Sequence, residues 1–188
     1  MPEFRSLGLE GAFEIVIDRF GDERGFFSET YNQKVFAENG ITMDFVQDNH
    51  SFSAQKGVLR GLHFQVEPHA QDKLVRVTRG RVFDVLVDLR QGSPTYKKWA
   101  GVEVSAEKWN QVFIPKGFAH GFLTLEENTE FLYKVSSLYA PASDRSLRFD
   151  DPEIGIDWPL RGLDLQLSEK DRNAPVLAAT DPSFIYGG

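Results

Sequence analysis

The chain has 188 residues, 41% of them hydrophobic, with a formal net charge of −7, 16 Phe and no Cys. That length fits one domain, 1–188, since single domains run to about 100–200 residues, and such a chain can bury roughly 70% of its unfolded surface. The acidic balance disfavours a nucleic-acid partner, which needs a broad basic surface, and the missing Cys excludes disulfides and thiolate metal sites and fits a reducing cytoplasm.

The N-terminal run MPEFRSLGLEGAFEIVIDRF carries acids early and lacks an apolar stretch of about 7–15 residues, so it does not read as an export signal. No run reaches the ~18 apolar residues of a membrane helix. The expectation is a soluble, cytoplasmic protein with no membrane partner. Strand signals start at Glu14–Asp18 and Phe26–Tyr31, separated by a Gly-Asp turn at 21–22. Residues 32–39 before Gly40 read as a short helix with a glycine stop. Strands follow at Val58–Gln65, Lys73–Arg79 and Arg81–Leu89. In the last of these Phe83, Val85, Val87 and Leu89 share one face at period two, and Asp84 and Asp88 share the other. Gly80 between two such runs signals a hairpin or a bulged bend.

Further strands are expected at Ala100–Ser105, Gln111–Ile114, Gly121–Leu125 and Glu130–Ser136. The stretch from Tyr139 to Leu167 reads as an ordered cover anchored by Leu147, Phe149, Ile154, Ile156 and Trp158. Ser168-Glu-Lys-Asp171 has the spacing of a capping box, and Pro175 ends that helix early. The pattern is all-β with a few short helices. Periodicity leaves sandwich, jelly roll and barrel open.

The four histidines are residues 50, 63, 69 and 120. His120 lies in Ile-Pro-Lys-Gly-Phe-Ala-His-Gly-Phe, similar to the second cupin motif, in which Pro-x-Gly-x-x-His crosses a turn into a barrel strand. His63 lies in Arg-Gly-Leu-His-Phe-Gln, which resembles a first cupin motif that has lost its His-x-His pair. Glu67 or His69 could assist a metal, but paired ligands on one strand face are missing. No metal is expected. Read one at a time, the other candidates are ordinary: Arg60 and Lys73 as solvated strand charges, Tyr133 as a half-buried aromatic, Asp171 as the acid of the capping box.

Together they are not. QDNHSFSAQKGVLRGLHFQ (47–65), KLVRVTRGRVFDVLVDLRQGSPTYKKW (73–99), IPKGFAHGF (114–122), FLYKV (131–135), DDPEIGIDWP (150–159) and LSEKD (167–171) resemble the dTDP-4-dehydrorhamnose 3,5-epimerase family, colinearly from about Glu10 to Ala178. The resemblance implies a cupin jelly roll, or double-stranded β-helix, acting as a homodimer without metal or organic cofactor. It implies a dTDP-sugar substrate whose carbon 4 ketone acidifies the protons on carbons 3 and 5. His63 matches the family's base, Asp171 the carboxylate behind it, Lys73 the partner of the enolate oxygen and Tyr133 the acid on the opposite face. Arg60 and His120 match positions facing the diphosphate or the sugar. Arg24 and Glu29 match nucleotide-binding positions offered across the dimer, and Gln47, Asp48 and Asn49 a polar loop in the same pocket. Tyr139 matches an aromatic that stacks on thymine, and Lys170 a cation near the nucleotide. Asp144 stands where the family often has Glu. The implied activity is 3,5-epimerisation, with inversion of a single centre as the alternative. One geometric demand follows. Strict alternation places Arg60 and His63 on opposite faces, so a shared pocket requires either a bulge at Gly61 or a side chain that reaches around an edge.

Overall fold

The computed structural model describes residues 2–187. In chain order the strands are β1 (Glu3–Ser6), β2 (Phe13–Val16), β3 (Phe20–Asp22), β4 (Gly25–Phe27), β5 (Gln47–Ser53), β6 (Leu59–Gln65), β7 (Lys73–Arg79), β8 (Arg81–Asp88), β9 (Trp99–Ser105), β10 (Asn110–Ile114), β11 (Phe118–Thr124), β12 (Thr129–Val135) and β13 (Asp144–Ser146). Helix α1 spans Gln33–Glu38 and helix α2 spans Glu169–Arg172. Two antiparallel sheets face each other, ordered β1-β2-β10-β7-β12-β5 and β13-β6-β11-β8-β9, and β3 pairs with β4 as a separate hairpin. This is the jelly roll expected of a cupin.

Three apolar clusters hold the layers together. The inner one, between the sheets, includes Val75, Val82, Leu86, Val104, Val112, Phe122 and Phe131. A second lies on the outer face of the five-stranded sheet, where Val85, Val87 and Leu123 meet Leu147, Ile154 and Trp158 of the long segment after Tyr139. That segment is the cover expected from its apolar anchors. A third lies outside the six-stranded sheet, where Ile15, Leu74 and Phe113 pack on Phe36 of α1. Asn32 caps α1, its side chain accepting from the amides of Lys34 and Val35.

Several local expectations change. Gly80 marks a bend rather than a hairpin, because β7 and β8 belong to different sheets. The predicted strand at 26–31 is shorter, ending at Phe27 in the β3-β4 hairpin. Residues 47–49 are not a loop but the start of β5. Strand β2 lies inside its sheet, between β1 and β10, and the edges of that sheet are β1 and β5. The alternation in β8 is real, yet its acidic face is not solvated: Asp84 is fully buried between the sheets.

The bulge at Gly61 is present. His120 of β11 pairs with His63 and Phe122 with Arg60, so β6 spends one more residue than β11 over that stretch. Gly61 has φ of 131°, a conformation suited to glycine, and a Cβ there would lie 2.6 Å from the Gly121 Cα. The extra residue returns Arg60 to the face that carries His63.

Candidate active site

A cavity of about 530 Å³ opens between the sheets, and Arg60, His63, Lys73, His120, Tyr133, Tyr139, Asp144, Lys170 and Asp171 line it. They arrive from β6, β7, β11, β12, β13, the start of the cover and α2. Strand alternation explains the inner placement of Lys73 on β7, whose Val75 and Val77 point into the inner core while Leu74 points outward.

His63 Nε2 lies 2.6 Å from Asp171 Oδ1. An ionised carboxylate only accepts, so Nε2 donates, and in the neutral tautomer this bond selects, the lone pair is on Nδ1. Burial alone would raise the Asp171 pKa, but hydrogen bonds from His63 and Ser168 outweigh it and hold the carboxyl below its ordinary value. Capping does not compete with this role. The Ser168 hydroxyl accepts from the Asp171 amide at 3.1 Å and donates to Asp171 Oδ2 at 2.7 Å. Each carboxylate oxygen therefore has its own partner, and α2 serves as the mount that aims Asp171 at His63.

Lys73 is 8% exposed. Burial pulls its pKa down to about 8, against the opposing pull of Asp84 and Asp144. At pH 7 it is still mostly an ammonium, since protonation dominates below the pKa. Its one hydrogen bond among the described residues is a long one, 3.5 Å to the His63 carbonyl. Tyr133 sits across the strand from Asn49, with its ring 6.0 Å from that of Phe131. Burial raises its pKa although Arg60 opposes this, so the phenol keeps its proton at neutral pH. His120 is buried and bonded to Asp84 at 2.7 Å. Burial lowers its pKa in spite of Asp84, leaving a neutral ring at neutral pH.

At the mouth, Tyr139 is 58% exposed and its amide donates to Gln47 Oε1. Lys170 pairs with Asp144, which spends part of both charges on each other. Among the described residues Arg60 makes only long contacts, to the Phe52 carbonyl and Ser53, which leave most of its donors uncommitted.

The structure does not bring every candidate to this cavity. Asp48 pairs with Lys134 on the outer face of β5 and β12. Asn49 lies opposite Tyr133 and Gln47 opposite Val135, on the inward side, but neither borders the cavity. Arg24 is at the turn of the β3-β4 hairpin, paired with Asp22 and with a side chain 86% exposed. Glu29 accepts from Asn32 before α1. Conversely, the cavity includes Ser51, Gln65, Gln71, Gln166 and Ser168, which single-residue reasoning passed over. Only Ser168 had a usable signal, its capping spacing. No group of three or more His, Asp or Glu among the described residues is disposed to hold a metal ion.

Antiparallel sheets with polar side chains on the inner side and apolar cover on the outer faces define a cupin-type jelly roll, and this one gathers titratable side chains along one cavity. The chain belongs to the dTDP-4-dehydrorhamnose 3,5-epimerase family, whose sequence profile matches residues 6–179. It is 57% identical over 159 residues to the dTDP-4-dehydrorhamnose 3,5-epimerase of Salmonella typhimurium, covering 84% of this chain and 86% of that protein. It is 54% identical over 176 residues to the enzyme of that name from Methanothermobacter thermautotrophicus, covering 92% and 94%. The crystal structure of a dTDP-6-deoxy-D-glucose-3,5-epimerase from Legionella pneumophila in complex with dTDP-4-keto-L-rhamnose superposes with a TM-score of 0.95 at 46% identity, over the whole of both chains.

Proposed function

We propose that this enzyme, a dTDP-4-dehydro-6-deoxy-D-glucose 3,5-epimerase producing dTDP-4-dehydro-L-rhamnose, works through His63, Lys73, Tyr133 and Asp171. The observation that carries the reading is that a carboxylate-backed imidazole, a buried ammonium and a protonated phenol line one cavity. His63 Nδ1 takes the proton from carbon 3 or carbon 5, and the electron pair moves onto the carbon 4 oxygen as an enolate. Asp171 stabilises the imidazolium that forms. The Lys73 ammonium gains most as negative charge develops on that oxygen, because water is largely excluded there. Tyr133 returns a proton to the carbon from the opposite face, and solvent restores phenol and imidazole before the second centre reacts. Two inversions with no net oxidation give the product.

Binding follows the charges. Arg60 offers a planar fork of donors to the diphosphate, and Tyr139 offers an exposed ring to the base. A neutral His120 suits a sugar hydroxyl better than a phosphate. Arg24 and Glu29 reach a nucleotide only from a second copy. The hairpin that carries Arg24 exposes Phe20, Phe26 and Phe27, a patch that suits burial against another protomer. We take the working unit to be a cytoplasmic homodimer in which residues 1–188 of each copy form one domain. No helix among the described residues is long and apolar enough to cross a membrane.

Proton NMR of the sugar ring after turnover tests the reading. Both ring centres invert in the wild type. Tyr133→Phe slows inversion by about 10²-fold, while proton exchange at the first centre falls by less than about tenfold, because the base remains. Equal, small effects on both would place Tyr133 among the core aromatics.

A further inference from the structure

Behind His120 stands a second carboxylate that the proposed chemistry does not use. Asp84 is 0% exposed, on β8, paired across the sheet with Phe122. Its Oδ1 lies 2.7 Å from His120 Nε2, and its Oδ2 is buried with no hydrogen-bond partner among the described residues. Leaving a buried carboxylate oxygen unpaired is expensive, and folds keep few such groups without a reason. A buried anion is tolerated where a cation shares its low-dielectric surroundings. Lys73, which lines the same cavity as His120, is such a cation, with no carboxylate in hydrogen-bond contact among the described residues.

We propose that Asp84 is a positioning residue for the epimerisation, fixing His120 with its proton on Nε2 and keeping the Lys73 ammonium charged for the enolate. The inference rests on the function proposed above. The two effects share one cause. As a carboxylate, Asp84 can only accept from His120, so the ring carries its proton on Nε2 and presents Nδ1 as an acceptor, the polarity a sugar hydroxyl requires. The same negative charge is the strongest influence sustaining the Lys73 charge against its burial. The groups around Lys73 divide by sign: Asp84 on β8 and Asp144 on β13 favour the ammonium, Lys170 on α2 opposes it, and His63, His120 and Tyr133 complete the surroundings from β6, β11 and β12. Asp144 already answers Lys170, so Asp84 is the carboxylate left over for Lys73. Two histidines on neighbouring strands thus line the cavity, each backed by a carboxylate: His63 by Asp171 of α2 for the moving proton, and His120 by Asp84 of β8 for a fixed one.

The test is the pH profile of kcat/KM for wild type and Asp84→Asn on dTDP-4-dehydro-6-deoxyglucose. The substitution keeps shape and removes charge. The alkaline limb moves down by on the order of one pH unit, as expected for losing a neighbouring opposite charge, and turnover above that limb falls accordingly. A variant that folds and keeps the wild-type limb overturns the proposal. A second readout needs neither the variant nor turnover: the nitrogen-15 shifts of His120 in the wild-type protein at pH 7.5. Protonation on Nε2 alone supports the assignment, and a proton on Nδ1 overturns it. A wild type that folds but leaves this sugar unchanged overturns the functional reading instead, and the His120 tautomer still decides whether Asp84 fixes the ring.

Discussion

His63→Ala lowers turnover by about 10²–10⁴-fold, the usual worth of a positioned general base. The loss is chemical, because the fold does not depend on that imidazole. Asp171 stays anchored through Ser168 and through its place in α2, and the side chain of His63 lies at the cavity wall, one-third exposed, rather than in a core cluster. Binding of dTDP is therefore retained while proton abstraction at carbons 3 and 5 is lost together. Calorimetric titration with dTDP alongside the turnover assay separates the two. Near-normal turnover in this variant would mean that another group takes the proton.

Lys73→Met costs about 10²–10³-fold in kcat, comparable to removing one donor from an oxyanion site. Methionine keeps the aliphatic length and removes only the charge. The pH dependence gives an independent check. A lysine stabilises an enolate only as the ammonium, which is present below its pKa. With that pKa at about 8, kcat/KM of the wild type declines as pH rises through 8, and the residual activity of Lys73→Met lacks that limb. A wild-type profile flat to pH 10 would remove Lys73 from the oxyanion role.

How far the sequence reaches depends on what each residue faces. The strands of the two inner sheets were readable wherever alternate residues enter an apolar layer, as in β7, β8 and β12. Strand β5 was not, because Gln47, Asn49 and Ser51 turn towards the polar side of the barrel interior and Asp48 and His50 meet charged partners on β12 outside. Neither face of QDNHSFS carries the hydrophobic signal that marks a strand. Strand β3 escaped for a related reason: it is three residues long, and its one aromatic, Phe20, is exposed in the single chain.

The site divides along the same line. Motif resemblance pointed to His63, Lys73, Tyr133 and Asp171, and the barrel brings them to one cavity. Geometry then decided what spacing could not. Arg60 joins His63 because the Gly61 bulge inserts a residue, and Asp171 serves both its helix and His63 because Ser168 takes the capping bond. Asp84 could be placed but not given a role. Alternation assigned it to a face, and the natural inference for a face of acids is solvent, whereas here both faces of β8 are buried. Only the closure of the barrel reveals that its acid points at a histidine.

The central claim is that carbon-bound protons at two positions flanking one ketone pass through this cavity. The measurement that tests it most directly is incubation of the wild-type protein with dTDP-4-dehydro-6-deoxyglucose in heavy water, followed by NMR. Deuterium at both carbon 3 and carbon 5 is the predicted result. Protons retained at both positions would contradict the account.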